Sequence, residues 1–143
     1  MSTSFVNESK AVTVKSTDRY GDTYEGEFTF KIKLSTGDQF VRDQLFREYL
    51  GGGDPDKAQE DVRNLAFMLA QINVRVKSTP IIWTSKKNGL EASADFVEAV
   101  FWESIKPEKD YIASRTKKAT EAQERLRNDR AADKRADEEA EAA

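Results

Sequence analysis

The stretch Asp54–Lys77, DPDKAQEDVRNLAFMLAQINVRVK, decides the fold. After its Asp-Pro-Asp opening it places Val62, Leu65, Ala66, Leu69, Ile72 and Val76 at the three- and four-residue spacing that aligns side chains on one face of a helix. Phe67 and Met68 widen that face, and so broad a stripe predicts a helix packed on two sides. Asp54 reads as its N-cap and Pro55 as its first helical residue. Buried apolar side chains contribute about 1.5 to 3 kcal/mol each, against roughly 1 to 2 kcal/mol of backbone entropy per ordered residue. Such a helix does not stand alone, so the rest of the chain must supply its partners.

Upstream, Gly51-Gly52-Gly53 reads as a flexible joint. A phosphate cradle would need Lys and Ser or Thr after the glycines, and Asp54-Pro55 follows instead. Before the joint, Thr36-Gly-Asp-Gln39 has the form of a capping box, opening a helix with Val41, Leu45, Phe46, Tyr49 and Leu50 inward. Earlier still, Tyr24, Phe28, Phe30, Ile32 and Leu34 alternate with Glu25, Glu27, Thr29, Lys31 and Lys33, the period of a strand with one buried face. Gly26 stands in the inward series without a side chain, which predicts a bulge or a close approach by another segment. Val12 and Val14 begin a second alternation, and Asp18 to Asp22 supply turn chemistry between the two. A hairpin covering the helices is expected, with residues 1–10 as a loose arm.

Downstream, Ile72, Val74 and Val76 would also suit a short strand, and Pro80 ends the helix at the latest. Ile81, Ile82 and Trp83 form an apolar knot in a polar loop that continues through Lys86-Lys87-Asn88-Gly89. The plainer reading is a plug filling the core; the sharper one is an exposed anchor, since an aromatic flanked by aliphatics is what a binding hot spot looks like. Ser93 caps a further helix, with Phe96, Val97, Val100, Phe101 and Ile105 inward, Trp102 near the edge, and Pro107 kinking or restarting it. From Ser114 onward the chain is Ala-, Arg- and Glu-rich, with eight basic and eight acidic residues. Ala119, Ala122 and Leu126 make a narrow seam, too thin for a self-sufficient coiled coil. This tail is expected as a polar helix or a partly disordered segment.

The expected architecture is therefore α+β: an N-terminal β-hairpin or small antiparallel sheet on about three helices over residues 11–113, followed by an extended polar helix over 114–143. At 143 residues one domain is expected. Charged residues make up 34% of the chain and are densest in that tail, and the net charge of −3 gives no electrostatic case for nucleic acid or anionic membrane as principal partner. Lys10, Lys15, Lys31, Lys33, Lys86 and Lys87 are the cations that a nucleic-acid interface would use, but Glu25 and Glu27 cancel much of their field. No run approaches the roughly 20 apolar residues that cross a bilayer, and the opening Met-Ser-Thr-Ser-Phe-Val-Asn-Glu lacks the regions of a secretory signal. A soluble cytoplasmic protein is expected.

The sequence contains no histidine and no cysteine. Ser-His and Cys-His nucleophile systems, histidine metal sites and histidine pH switches are thereby excluded. Asp54, Asp56, Glu60 and Asp61 crowd the start of the long helix, where they complement its dipole. Asp56 and Glu60, four apart, could share a cation, but solvated charges are the plainer reading. Asp95, Glu98 and Glu103 have no calcium-loop spacing. No dinucleotide fingerprint or nucleophile elbow occurs. No enzyme, cofactor or metal is expected.

The segments Tyr24-x-Gly26-x-Phe28, Leu65-Ala66-x-x-Leu69-Ala70, Pro80-x-x-Trp83 and Asp95-Phe96-x-x-Ala99-Val100, in this order over residues 24–113, resemble the tail assembly chaperones of long-tailed bacteriophages. The resemblance implies a non-catalytic protein in the bacterial host cytoplasm that coats the tape-measure protein through apolar contacts until the tail tube polymerises around it. The polar tail departs from that compact pattern. It fits instead a phage virion structural protein (capsid-, neck- or tail-associated) whose body docks on neighbouring subunits and whose last helix bridges them, and a homo-oligomer is compatible with both. The candidate interaction residues are Ile81, Ile82, Trp83, Trp102 and Leu126.

Overall fold

The structure, a computed structural model, describes residues 8–142. Two strands open it: β1 (Ser9–Thr17) and β2 (Thr23–Lys31), antiparallel, with Val12 opposite Phe28 and Val14 opposite Gly26. Ser9 and Lys10 belong to the sheet, so the expected arm is shorter than ten residues, and residues 1–7 lie outside the described part. The connecting turn is built on Asp18, whose Oδ1 accepts the amides of Tyr20 (2.9 Å) and Asp22 (3.0 Å) while Oδ2 accepts the Tyr24 hydroxyl (3.2 Å). Burial of this carboxylate is tolerated because its oxygens are so occupied.

The alternation continues in sequence to Leu34, but β2 ends at Lys31 because the next segment serves helix α1 (Thr36–Tyr49). The cap of α1 is Ser35, one residue before the expected Thr36. Ser35 Oγ accepts the Asp38 amide at 3.1 Å, and Asp38 Oδ2 accepts the Ser35 amide at 2.9 Å. Ser35 and Asp38 prevail over Thr36 and Gln39 because a carboxylate also serves Lys31, whose Nζ donates to Asp38 Oδ1 at 3.0 Å. Burial alone would raise the Asp38 pKa, but the Ser35 amide, the Lys31 ammonium and the Ser35 hydroxyl outweigh it and hold the carboxyl below its usual range.

The glycine run is an ordered helix stop. Gly51 donates to Glu48 O at 2.9 Å and Gly52 to Arg47 O at 2.9 Å, the paired bonds of a Schellman turn, with Gly51 at φ +71°. Asp54 caps a separate 3-10 turn (Pro55–Lys57) through its Oδ1 to the Asp56 amide at 3.0 Å. Extended backbone at Ala58 closes that turn, and the long helix α2 begins only at Glu60, ending at Arg75. Asp56 and Glu60 therefore lie on different elements and lose the helical spacing that a shared cation would have used.

Strand β3 (Val76–Ser78) pairs with the far side of β2, giving the order β1-β2-β3 with a register shift at Thr29/Phe30. The ambiguous Ile72-to-Val76 segment is thus helix up to Arg75 and strand after it. A one-turn helix α3 (Ile81–Thr84) and the long helix α4 (Ala94–Ala142) complete the chain. Ser93 Oγ accepts the Phe96 amide at 3.3 Å at the start of α4. Pro107 neither ends nor restarts this helix. The chain divides into two compact units, Met1–Glu108 and Lys109–Ala143. In the first, Val14, Phe28, Phe30, Leu69, Ile72, Trp83, Phe96, Val97, Val100 and Phe101 form a single core. The second is the continuation of α4, and its described side chains from Ile112 onward are all exposed.

Candidate protein-interaction surface

The apolar knot is split by its own backbone. Pro80 O accepts the amides of Trp83 and Thr84, which winds one helical turn and sends neighbouring side chains in different directions. Ile81 is 84% exposed, Ile82 is half-buried against the core, and Trp83 is fully buried. Trp83 is therefore no surface anchor; it meets Phe28 and Phe96 edge-on, at centroid distances of 5.5 and 6.0 Å.

A buried indole N–H needs an acceptor, and Asn73 supplies it. Trp83 Nε1 donates to Asn73 Oδ1 at 3.1 Å, while Asn73 Nδ2 donates to Tyr49 Oη at 2.9 Å and to Asn88 O at 3.0 Å. One amide thus ties α1, α2, α3 and the lysine loop together. Burial raises the Tyr49 pKa, outweighing the Asn73 hydrogen bond that lowers it. The loop closes over the indole through Lys87, Asn88 and Gly89, all at positive φ. A Cβ on Gly89 would lie 2.4 Å from Trp83 Cη2, so only glycine allows this approach. Gly26 plays the same part on β2, where a Cβ would stand 2.6 Å from Pro80 Cγ; the neighbour it accommodates is a proline ring.

With Trp83 inside, the exposed apolar surface lies elsewhere. Helix α1 buries no residue fully. It packs on α2 through Leu45, Phe46 and Tyr49, with Phe46 edge-on to Phe67 at 6.2 Å. Outside that contact remain Phe40 (72% exposed), Val41 and Val62, and Phe67 stays 42% exposed at its edge. Val41 and Val62 were expected inward but are exposed; α2 is enclosed only from Ala66 onward, where Leu69, Ala70, Ile72 and Val74 are also buried, and Val62 lies in its uncovered first turn. Phe40, with Asp43, Gln44, Arg47, Glu48 and the Gly51-Gly52 turn, lines an open depression of about 590 Å³. Phe40 carried no signal in periodicity, since it falls on the side of α1 opposite the inward positions. Trp102 stands on the outer side of α4, 49% exposed and edge-on to Phe101 at 5.1 Å. Leu126, in the second unit, is 57% exposed. The sequence-derived candidates thus fall on two helices, α3 and α4, and Trp83 is not among the surface residues.

The polar features of the first unit are structural links. Arg19 at the hairpin tip grips Asp95 in the first turn of α4 through its amide (3.0 Å), Nε and Nη2 (both 3.2 Å). Hydrogen bonds from the Arg19 side chain and amide hold the Asp95 carboxyl below its usual range. Beside this pair a groove of about 400 Å³ is lined by Asp61, Asn64, Leu65, Met68 and Glu98. Arg75, buried at the end of α2, reaches Glu108 of α4 at 3.3 and 3.4 Å. Among the described residues no group of three or more carboxylates is arranged to hold a metal ion, and no helix is long and apolar enough to cross a membrane. No protein-family model matches the chain, and comparison with curated proteins and with solved structures gave no match.

Proposed function

We propose that this chain is a non-catalytic phage morphogenesis protein, a tail assembly chaperone that holds the tape-measure protein against exposed apolar surface in the bacterial host cytoplasm. The observation that supports it is the apolar surface that α1 and α2 leave exposed, Phe40, Val41, Val62 and Phe67, with Phe40 lining a wide depression. Large apolar side chains left in water are the chemistry of protein-binding surfaces. In this reading Phe40 and Phe67 take the anchoring role first considered for Trp83, while Ile81 and Trp102 extend the apolar contact around the body. A chaperone of this kind releases its client, and contacts through a few aromatic anchors with a polar rim suit reversible binding.

The exposed second unit favours a second reading, a phage virion structural protein whose last helix bridges neighbouring subunits. A helix with exposed side chains throughout gains little from its own chain and gains from a partner. Mass spectrometry of purified particles separates the two. Stoichiometric presence in particles refutes the chaperone, and absence from particles combined with loss of tails in a deletion strain refutes the virion component. For the chaperone, Phe40→Ser with Phe67→Ser is expected to abolish co-purification with the tape-measure protein while leaving the unfolding transition of the body in place.

A further inference from the structure

The second unit segregates its charge along the helix. Residues 114–130 carry six basic and three acidic side chains, whereas 131–143 carry two basic and five acidic ones. That order opposes the needs of a lone helix. The last turn contains no basic residue, so acidic groups crowd the negative end of the helix dipole. Asp129, Asp133 and Asp137 follow one another at four-residue spacing and repel along one face. Among the described residues, no ion pair forms beyond Glu108 to relieve this.

We infer that the second unit pairs antiparallel with the same helix of a second copy of this chain. The face that carries the acidic ladder also carries, one to four turns earlier, Arg115, Ala119, Ala122 and Leu126, all exposed. Antiparallel alignment about residue 124 sets Ala122 against Leu126 of the second copy, Ala119 against its Asp129, and Arg115 against its Asp133. Each of these contacts occurs twice by symmetry. Alanine at the seam lets the two backbones approach closely. Antiparallel pairing also opposes the two helix dipoles, so that the acidic end of each copy lies against the basic half of the other. Parallel pairing in register would place Arg115 on Arg115 and Asp133 on Asp133. Tyr111 supports this arrangement from within the chain: its hydroxyl accepts from Arg115 Nε at 3.1 Å, and its ring lies 5.4 Å from the guanidinium, bracing the arginine.

The test is a charge exchange on the full chain, read by sedimentation equilibrium at low salt. The wild-type chain is expected to dimerise reversibly and more weakly as salt rises. Arg115→Glu, and separately Asp133→Lys, are each expected to weaken dimerisation about tenfold or more. An equimolar mixture of the two variants is expected to form a heterodimer at least as tight as the wild-type dimer. Circular dichroism of each variant confirms retained helix content, since both positions are exposed. A wild-type chain that stays monomeric to its solubility limit overturns the inference. So does dimerisation unchanged in both variants, which would place the contact elsewhere, or a mixture that fails to associate.

Discussion

Asn73→Ala tests the argument that a single amide organises the core around Trp83. The substitution removes the acceptor of an indole N–H that has no access to water. A buried donor left without a partner costs about 1 to 3 kcal/mol. The half-buried Tyr49 hydroxyl and the Asn88 carbonyl also lose a donor, but both lie nearer solvent and recover most of the loss. Alanine returns about 0.5 kcal/mol of helix propensity. The expected net destabilisation is about 2 kcal/mol, near 10 °C in Tm for a body of this size. Urea unfolding followed by tryptophan fluorescence and far-ultraviolet circular dichroism reads it. Trp83→Phe supplies the control, because it deletes the N–H: in that background Asn73→Ala should cost at least about 1 kcal/mol less. A cost below about 0.5 kcal/mol in the wild-type background, or an equal cost in both, would refute the reasoning.

Trp83→Ala is expected to destabilise the body by about 3 to 5 kcal/mol, by denaturant titration, because it empties the centre of the core. Ile81→Asp, next to it in sequence, is expected to stay within about 0.5 kcal/mol of wild type. Gly51→Ala is strained only by its positive φ and should cost about 1 to 2 kcal/mol. Gly89→Ala adds a clash with the Trp83 ring to the same backbone strain and should cost about 3 kcal/mol or more; equal unfolding midpoints for the two glycine variants would contradict the tight loop-to-indole contact. Asp95 has a folded pKa below its unfolded value of about 4, so its contribution is present above pH 4 and lost as pH falls through the folded value. Asp95→Asn should therefore be less stable than wild type at neutral pH and flatten the acid side of a urea-midpoint-versus-pH series. Truncation after Ser114 should preserve cooperative unfolding of the body, since the core residues end before that point.

The α+β architecture was legible because its signals are local and periodic. The alternation from Tyr24 to Phe30, the stripe of α2 and the Ser93 start of α4 each state which face must leave water, and no distant residue is needed to interpret them. Gly26 was legible as a place where something must come close, though nothing local named Pro80 as the neighbour. Element boundaries were less legible where two local solutions competed. Thr36 with Gln39 and Ser35 with Asp38 are both capping boxes, and Lys31, at the end of a strand, decides between them by adding a charge to Asp38. Asp54-Pro55 is a good start for a helix or for a 3-10 turn, and the extended backbone at Ala58 chooses the turn.

Which apolar residues face water was not legible, because amphipathic periodicity records a helix's preferred face and not how much of that face finds cover. Val62 sits on the same stripe as Leu69, yet α2 is enclosed only from Ala66 onward. Asn73 carried one faint signal, a lone amide inside the apolar run from Leu69 to Val76 within reach of a tryptophan that needs an acceptor. By itself the sequence determined the first two strands, the three longer helices, the preferred face of each and the polar character of the last helix, all set by neighbours a few residues away. Only the tertiary structure decided that Trp83 is core, that Phe40 and Phe67 are surface, and that Asn73 joins four segments. Those outcomes depend on which distant surfaces remain to cover each side chain once the chain has closed on itself.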